Sequence, residues 1–213
     1  MCYVSSCLVV GAVVHTDVLF GAIIAAETGM VTGTLWQVPN QPIVFAQDPT
    51  KEERSEDAAV AFTWLEFMFH QDRDDFVLFF PMVKSVHSAL TAIQQYAASK
   101  HGVKIENFVV AGASKRGWTT WLEGATDDRV VAIVPIVMDM LNFQKNVGHM
   151  FTAYGGWTFA FEDYYKVGAA CDGVLRVAPS THLSSLTSAS VRVPSSSTSR
   201  STWRRTTCRP WLR

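Results

Sequence analysis

Val109-Val110-Ala111-Gly112-Ala113-Ser114-Lys115-Arg116-Gly117-Trp118 decides the fold class. An apolar, β-branched run enters a small-residue turn, and a helix-forming run to Glu123 leaves it. A strand running straight into a helix with Ser at the junction is the plan of a nucleophile elbow. Such a turn lifts the Ser hydroxyl above the C-terminal edge of a parallel sheet and aims first-turn N–H groups at the same point. Those groups can hold the oxyanion formed when a Ser attacks an acyl carbon. Gly112 and Ala113 fit because the turn is expected to pack against neighbouring strands. The usual spacing is G-x-S-x-G; here Arg116 stands two after Ser114, and Gly117 comes one later. Ser114 is also a residue favoured as a helix N-cap, so the string alone carries both readings.

Working outward, apolar runs at 2–10, 30–38, 107–111 and 129–138 read as strands, and 17–28, 56–70, 82–100 and 115–125 as helices. Ser55, with Glu56 and Asp57 in the first turn, suits a helix start. In the two middle helices, Val60, Trp64, Phe67 and Met68, then Val83, Val86, Leu90, Ile93 and Tyr96, recur at helical spacing. The strands are continuously apolar rather than alternating, the mark of parallel strands covered on both faces. The fold class is therefore α/β: a partial α/β-hydrolase-like sheet, mostly parallel, with helices on both faces. After Asp139 the chain reads as an aromatic-rich loop or short-helix region.

The composition divides the 213 residues into two regions. Residues 1–175 hold 11 basic and all 19 acidic residues. Residues 176–213 hold seven Arg, ten Ser and six Thr, with no Asp, Glu or Lys. This gives a partial hydrolase-like domain, 1–175, and a Ser/Thr/Arg-rich tail, 176–213, of disordered composition. Net charge near zero points away from nucleic acid, and no apolar run is long enough for a membrane span. Cys2, Cys7, Cys171 and Cys208 form no zinc-type pattern. With no dinucleotide fingerprint or Walker loop, no cofactor is expected. The N-terminus lacks the basic segment of a signal peptide.

Serine chemistry needs a His near Ser114 and an acid to orient it. Asp139, directly after the 129–138 strand, is the best-placed acid, and equally able to cap the next turn. The Lys115 backbone N–H is the oxyanion candidate. The side chains of Lys115 and Arg116 are expected in solvent, as are Asp127 and Asp128. Trp118 and Trp121 read as core. His149 reads as a pocket or packing residue, and His182 follows in suitable chain order without a preceding strand.

Six strings, QVPNQP (37–42), RSEDA (54–58), PMVKSV (81–86), GASKRGWTTWL (112–122), DRVVAIVPIVMDMLN (128–142) and YGGWTFAFEDYY (154–165), resemble the PhoPQ-activated pathogenicity-related family. That family includes autocrine proliferation repressor proteins. The resemblance spans about 17–170 and implies an α/β-hydrolase-like fold with Ser114 at the nucleophile position. It implies that the first strand matches the fold's third, that two edge strands are missing, and that the late acid and His lie in sequence replaced here by the tail. An altered reading frame or splice would produce that change. The functions implied are a serine hydrolase acting on a small-molecule or peptide substrate, inactive as this fragment, or a secreted signalling protein with a cell-surface partner.

Overall fold

The computed structural model describes residues 6–12, 15–70, 72, 74–139 and 141–166, with side chains from Val18 onward except that of Asp74. The tail and His182 lie outside the described residues. In chain order the elements are β1 (Ser6–Ala12), α1 (His15–Thr28), β2 (Val31–Trp36), β3 (Ile43–Val44), β4 (Glu53–Arg54), α2 (Glu56–Phe69), α3 (Phe79–His101), β5 (Asn107–Ala113), α4 (Lys115–Thr126), β6 (Val130–Ile136), α5 (Phe143–Tyr154) and α6 (Glu162–Lys166). Four strands form one sheet in the order β2-β1-β5-β6, every pair parallel. Strands β3 and β4 make a separate antiparallel pair between β2 and α2.

The period-two geometry of a strand assigns the sheet faces. Phe108 and Val110 of β5 meet Val86, Leu90 and Ala97 of α3 in one apolar cluster. Ala111 meets Ile24 and Val109 on the other face, where α1 lies. A second apolar cluster joins Val38, Phe45, α2 (Val60, Phe62, Trp64), the start of α3 (Phe79, Met82), Val147 of α5 and Tyr164 of α6. Its residues follow the C-terminal ends of the strands, so it builds walls around Ser114.

Helix α3 starts at Phe79, three residues before the expected start. Pro81 lies just before the expected start at 82. It sits instead in the first turn, where a missing N–H is not missed by the helix. Tyr96 is 61% exposed rather than inward. The buried stripe of α3 is Phe79, Met82, Val86, Leu90 and Ala97. The stretch after Asp139 is more regular than its composition suggested. Phe143, Val147, Met150 and Tyr154 fall at helical spacing in α5, and Gly155, at φ +69°, stops it.

Both outer strands leave an edge unpaired among the described residues. Beside the β6 edge, Val131, Val134 and Ile136 are exposed, and α1 exposes Leu19, Phe20 and Ile23. No helix among the described residues is long and apolar enough to cross a membrane.

Candidate active site around Ser114

Ser114 is the residue between β5 and α4. Its N–H continues the β5–β6 ladder by donating to the Ile136 carbonyl at 2.9 Å, while its own carbonyl accepts the Trp118 N–H at 3.1 Å. The chain changes from strand to helix across this one residue, which takes φ 54°, ψ −123°. That conformation is unfavourable for any residue with a Cβ. The hydroxyl makes no capping bond to α4, so Ser114 is not an N-cap in the ordinary sense. Gln37 and Val137 also have positive φ (58° and 50°) and, like Ser114, each directly follows the end of a parallel strand. Positive φ is a genuine outlier for β-branched Val137. Strained residues at the carboxyl edge of a parallel sheet mark the place where such sheets bind ligands.

Two glycines let the turn close. A Cβ on Gly112 would lie 2.6 Å from the Arg116 carbonyl oxygen and 2.9 Å from Thr120 Oγ1. The crowding comes from α4, not from the neighbouring strands as expected, and Ala113 is exposed. A Cβ on Gly117 would lie 2.9 Å from Met138 Cβ, which is why glycine is needed one position beyond the usual motif. Gly112→Ala is expected to lower stability by about 2–3 kcal/mol, the upper part of the overpacking range because the atoms it meets are largely backbone, measured by urea denaturation. A loss below about 0.5 kcal/mol would contradict the close approach.

The basic side chains after Ser114 are not in solvent. Lys115 is 5% and Arg116 6% exposed. Lys115 Nζ lies 2.5 Å from Glu56 Oε2 and 3.2 Å from Asp57 Oδ2. Arg116 donates to both Glu56 oxygens, at 3.1 and 2.7 Å. Gln41, in the turn before β3, donates to Glu56 Oε1 and accepts the Glu56 N–H at 2.8 Å. Thus Glu56 ties α4 to α2 and to the PNQP turn. Burial works to raise the Glu56 pKa, but hydrogen bonds from Arg116, Lys115 and Gln41 override it and hold it at about 2. The unfolded-state value is about 4.5, so this stabilisation is complete above pH 4.5 and is lost as pH falls toward 2. The carboxylate is about a third exposed, and after solvent screening roughly 1–2 kcal/mol is expected to disappear across that window. Urea midpoints measured from pH 6 down to pH 3 check this; in Glu56→Gln the decline should be shallower.

A cavity of about 240 Å³ opens beside Ser114. Trp64, Trp118, Phe143, Val147, Met150 and Phe161 make most of its wall apolar, and Ser114, Asp57, Asp139 and Tyr164 supply its polar positions. Trp118 serves core and cavity together: its ring is 4.5 Å from Phe79 and 5.0 Å from Phe143, centre to centre. Asp139 does line the cavity, and it also caps the turn, as the alternative reading held. It accepts the Leu141 N–H at 3.0 Å and Asn146 Nδ2 at 2.8 Å. His149 is exposed and outside the lining, and no described histidine lines the cavity.

Sequence reasoning missed Asp57 and Tyr164. The Tyr164 hydroxyl donates to Asp57 Oδ1 at 3.1 Å. Burial first, and Asp57 next, push this phenol well above its ordinary range, so it stays a neutral donor. Trp121, taken as core, is half-buried and donates to the Met138 carbonyl at 3.1 Å. Asp127 is buried and bonded to Arg129, whereas Asp128 is exposed as expected.

Comparison with known proteins agrees with the resemblance. No solved structure matched. Autocrine proliferation repressor protein A of Dictyostelium discoideum is 47% identical over 146 residues, 68% of this chain. Those residues amount to 29% of that protein's length. The profile of the PhoPQ-activated pathogenicity-related proteins matches residues 12–188, beyond both limits read from the motifs. The chain belongs to the PhoPQ-activated pathogenicity-related protein family.

Proposed function

We propose that this chain carries the nucleophile half of an α/β-hydrolase-type serine site, of the esterase or peptidase kind. Ser114 is the nucleophile, and the Lys115 backbone N–H is an oxyanion donor. The observation that carries this reading is the backbone of Ser114, φ 54° and ψ −123°, with a hydroxyl unused for capping, in a residue that lines a cavity. An elbow is a device for presenting a hydroxyl; a structural cap has no use for its strain. The strand order β2-β1-β5-β6 supports the reading, since it is the order of the central strands of an α/β-hydrolase sheet with β1 as the third strand. Lys115 opens α4, and first-turn N–H groups have no acceptor within their helix. Asp139 is the candidate acid.

Among the described residues the constellation lacks its base, since no described histidine lines the cavity. Without a base the hydroxyl is neutral and weakly nucleophilic, and rates fall by several orders of magnitude. The apolar wall suits an uncharged, hydrophobic acyl group. A fluorophosphonate probe tests the proposal: attack by Ser114 Oγ forms a Ser–O–P bond and releases fluoride. Slow labelling is expected, and its loss in Ser114→Ala. A folded sample that takes up no probe would overturn the reading. A second reading, a signalling protein using the scaffold for binding, is favoured by the name of the Dictyostelium relative, an autocrine proliferation repressor. Its partner would lie at the cell surface.

A further inference from the structure

Far from Ser114, at the other end of α4, lies a cluster that the proposed chemistry does not use. Glu123 is completely buried, and neither of its carboxylate oxygens has a hydrogen-bond partner. An unpartnered buried carboxylate is among the most unfavourable groups a protein can hold, costing at least several kcal/mol if charged. Its neighbours are Asp127, buried at the C-terminal end of α4, and His87 from α3. His87 Nδ1 lies 2.9 Å from Asp127 Oδ2 and 3.7 Å from Glu123 Oε1. One donor atom from each of the three residues falls within 4.8 Å of the other two. Ligands about 2.0–2.2 Å from a tetrahedral ion stand about 3.3–3.6 Å apart, and the two distances from His87 Nδ1, 2.9 and 3.7 Å, lie within about half an ångström of that spacing.

We propose that His87, Glu123 and Asp127 bind one divalent transition-metal cation of the Zn²⁺ or Co²⁺ class. One imidazole and two carboxylates are the mixed N/O donors that such ions take, and His87, 55% exposed, leaves a route for entry and for a water ligand. The cation supplies what Glu123 lacks. Arg129 takes the outer-shell position. Its Nη2 and Nε donate to Asp127 at 2.6 and 2.9 Å, and its Nη1 donates to Gln94 and Thr91 of α3 at 2.8 and 3.1 Å. It thereby fixes the Asp127 orientation. Its positive charge works against the metal, so a modest affinity is expected. From Ser114 the chain runs the length of α4, 12 residues or about 18 Å, before reaching this end. The ion therefore acts as a staple between α3 and α4, not in acyl chemistry.

Titration of the full chain with Co²⁺, followed by its visible spectrum, tests the site. The expected result is one Co²⁺ per chain with d–d bands and no thiolate charge-transfer band. Affinity should fall at least about tenfold in His87→Ala and in Glu123→Gln. Half-exposed His87 can be removed without touching the core, so that variant keeps the test readable if the Glu123 variant fails to fold. Absence of saturable binding would overturn the proposal and leave a proton shared between Glu123 and Asp127. Thiolate bands, which would assign the ion to cysteine, or affinities that neither variant moves, would overturn it as well.

Discussion

Glu56→Ala is expected to lower stability by about 3 kcal/mol, although Glu56 is itself partly exposed. The effect comes from what the substitution leaves behind. Lys115 and Arg116 are almost wholly buried, and the Glu56 carboxylate is the acceptor for both. Its removal strands the Arg116 guanidinium and leaves Lys115 with Asp57 alone, at 3.2 Å. Breaking one side of a buried pair typically costs about 3–5 kcal/mol, much of it the penalty of an uncompensated charge. The low end applies because Asp57 remains. A single domain has only about 5–15 kcal/mol in total, so a fall of this size should bring the melting temperature down by roughly 6–12 °C. The damage should also reach the site. Asp57 would be drawn between Lys115 and the Tyr164 hydroxyl, and Gln41 would lose the partner holding the PNQP turn to α2. Differential scanning calorimetry of Glu56→Ala beside Glu56→Gln provides the measurement. Gln keeps an acceptor oxygen and should recover part of the loss; a Glu56→Ala melt within 2 °C of the parent would show that the network carries little.

How much of this was legible in the sequence follows from the range of each interaction. The strand–Ser114–helix turn was legible because its determinants are local: an apolar run, small residues at Gly112 and Ala113, and a helix former after Ser114 all fall within one short string. The parallel character of the sheet was legible from continuous apolar runs. Partners distant in the chain were not. Nothing near Lys115 and Arg116 announces that their acceptor lies 59 and 60 positions earlier, so solvent was the ordinary expectation for two adjacent cations. The Tyr164–Asp57 bond spans 107 positions and left no trace beyond two polar residues in strings that matched the family. Asp127 was misplaced partly for the same reason: Arg129 is two residues away, but His87, 40 positions earlier, folds over the carboxylate only in the structure. Helix α5 is a different failure. Its spacing was present, but aromatic content left the reading at a loop or short helices, where the structure has a 12-residue helix.

Ser114→Gly is expected to make the protein more stable and to abolish probe labelling, and the pairing of those outcomes separates the two readings of this serine. At φ 54°, ψ −123°, a residue with a Cβ stores on the order of 1–3 kcal/mol that glycine does not. Against that gain stands the larger entropy glycine loses on folding, about 0.5–1 kcal/mol. A net gain near 1 kcal/mol remains. Ser114→Ala keeps the Cβ and the strain, and forfeits no capping bond because none is made, so its stability should match the parent. A plain N-cap behaves otherwise: Ala there costs about 0.5–2 kcal/mol, and Gly costs a few tenths. The order Gly above Ser, with Ala level with Ser, therefore assigns the strain to the presentation of a hydroxyl. The order Ser above Gly above Ala would return Ser114 to a structural cap. Both variants lack the oxygen that would bond to phosphorus, so a Ser114 nucleophile requires that neither be labelled, whatever its stability. The prediction fails if the glycine variant melts lower than the parent, because strain is then not what holds Ser114 in this conformation.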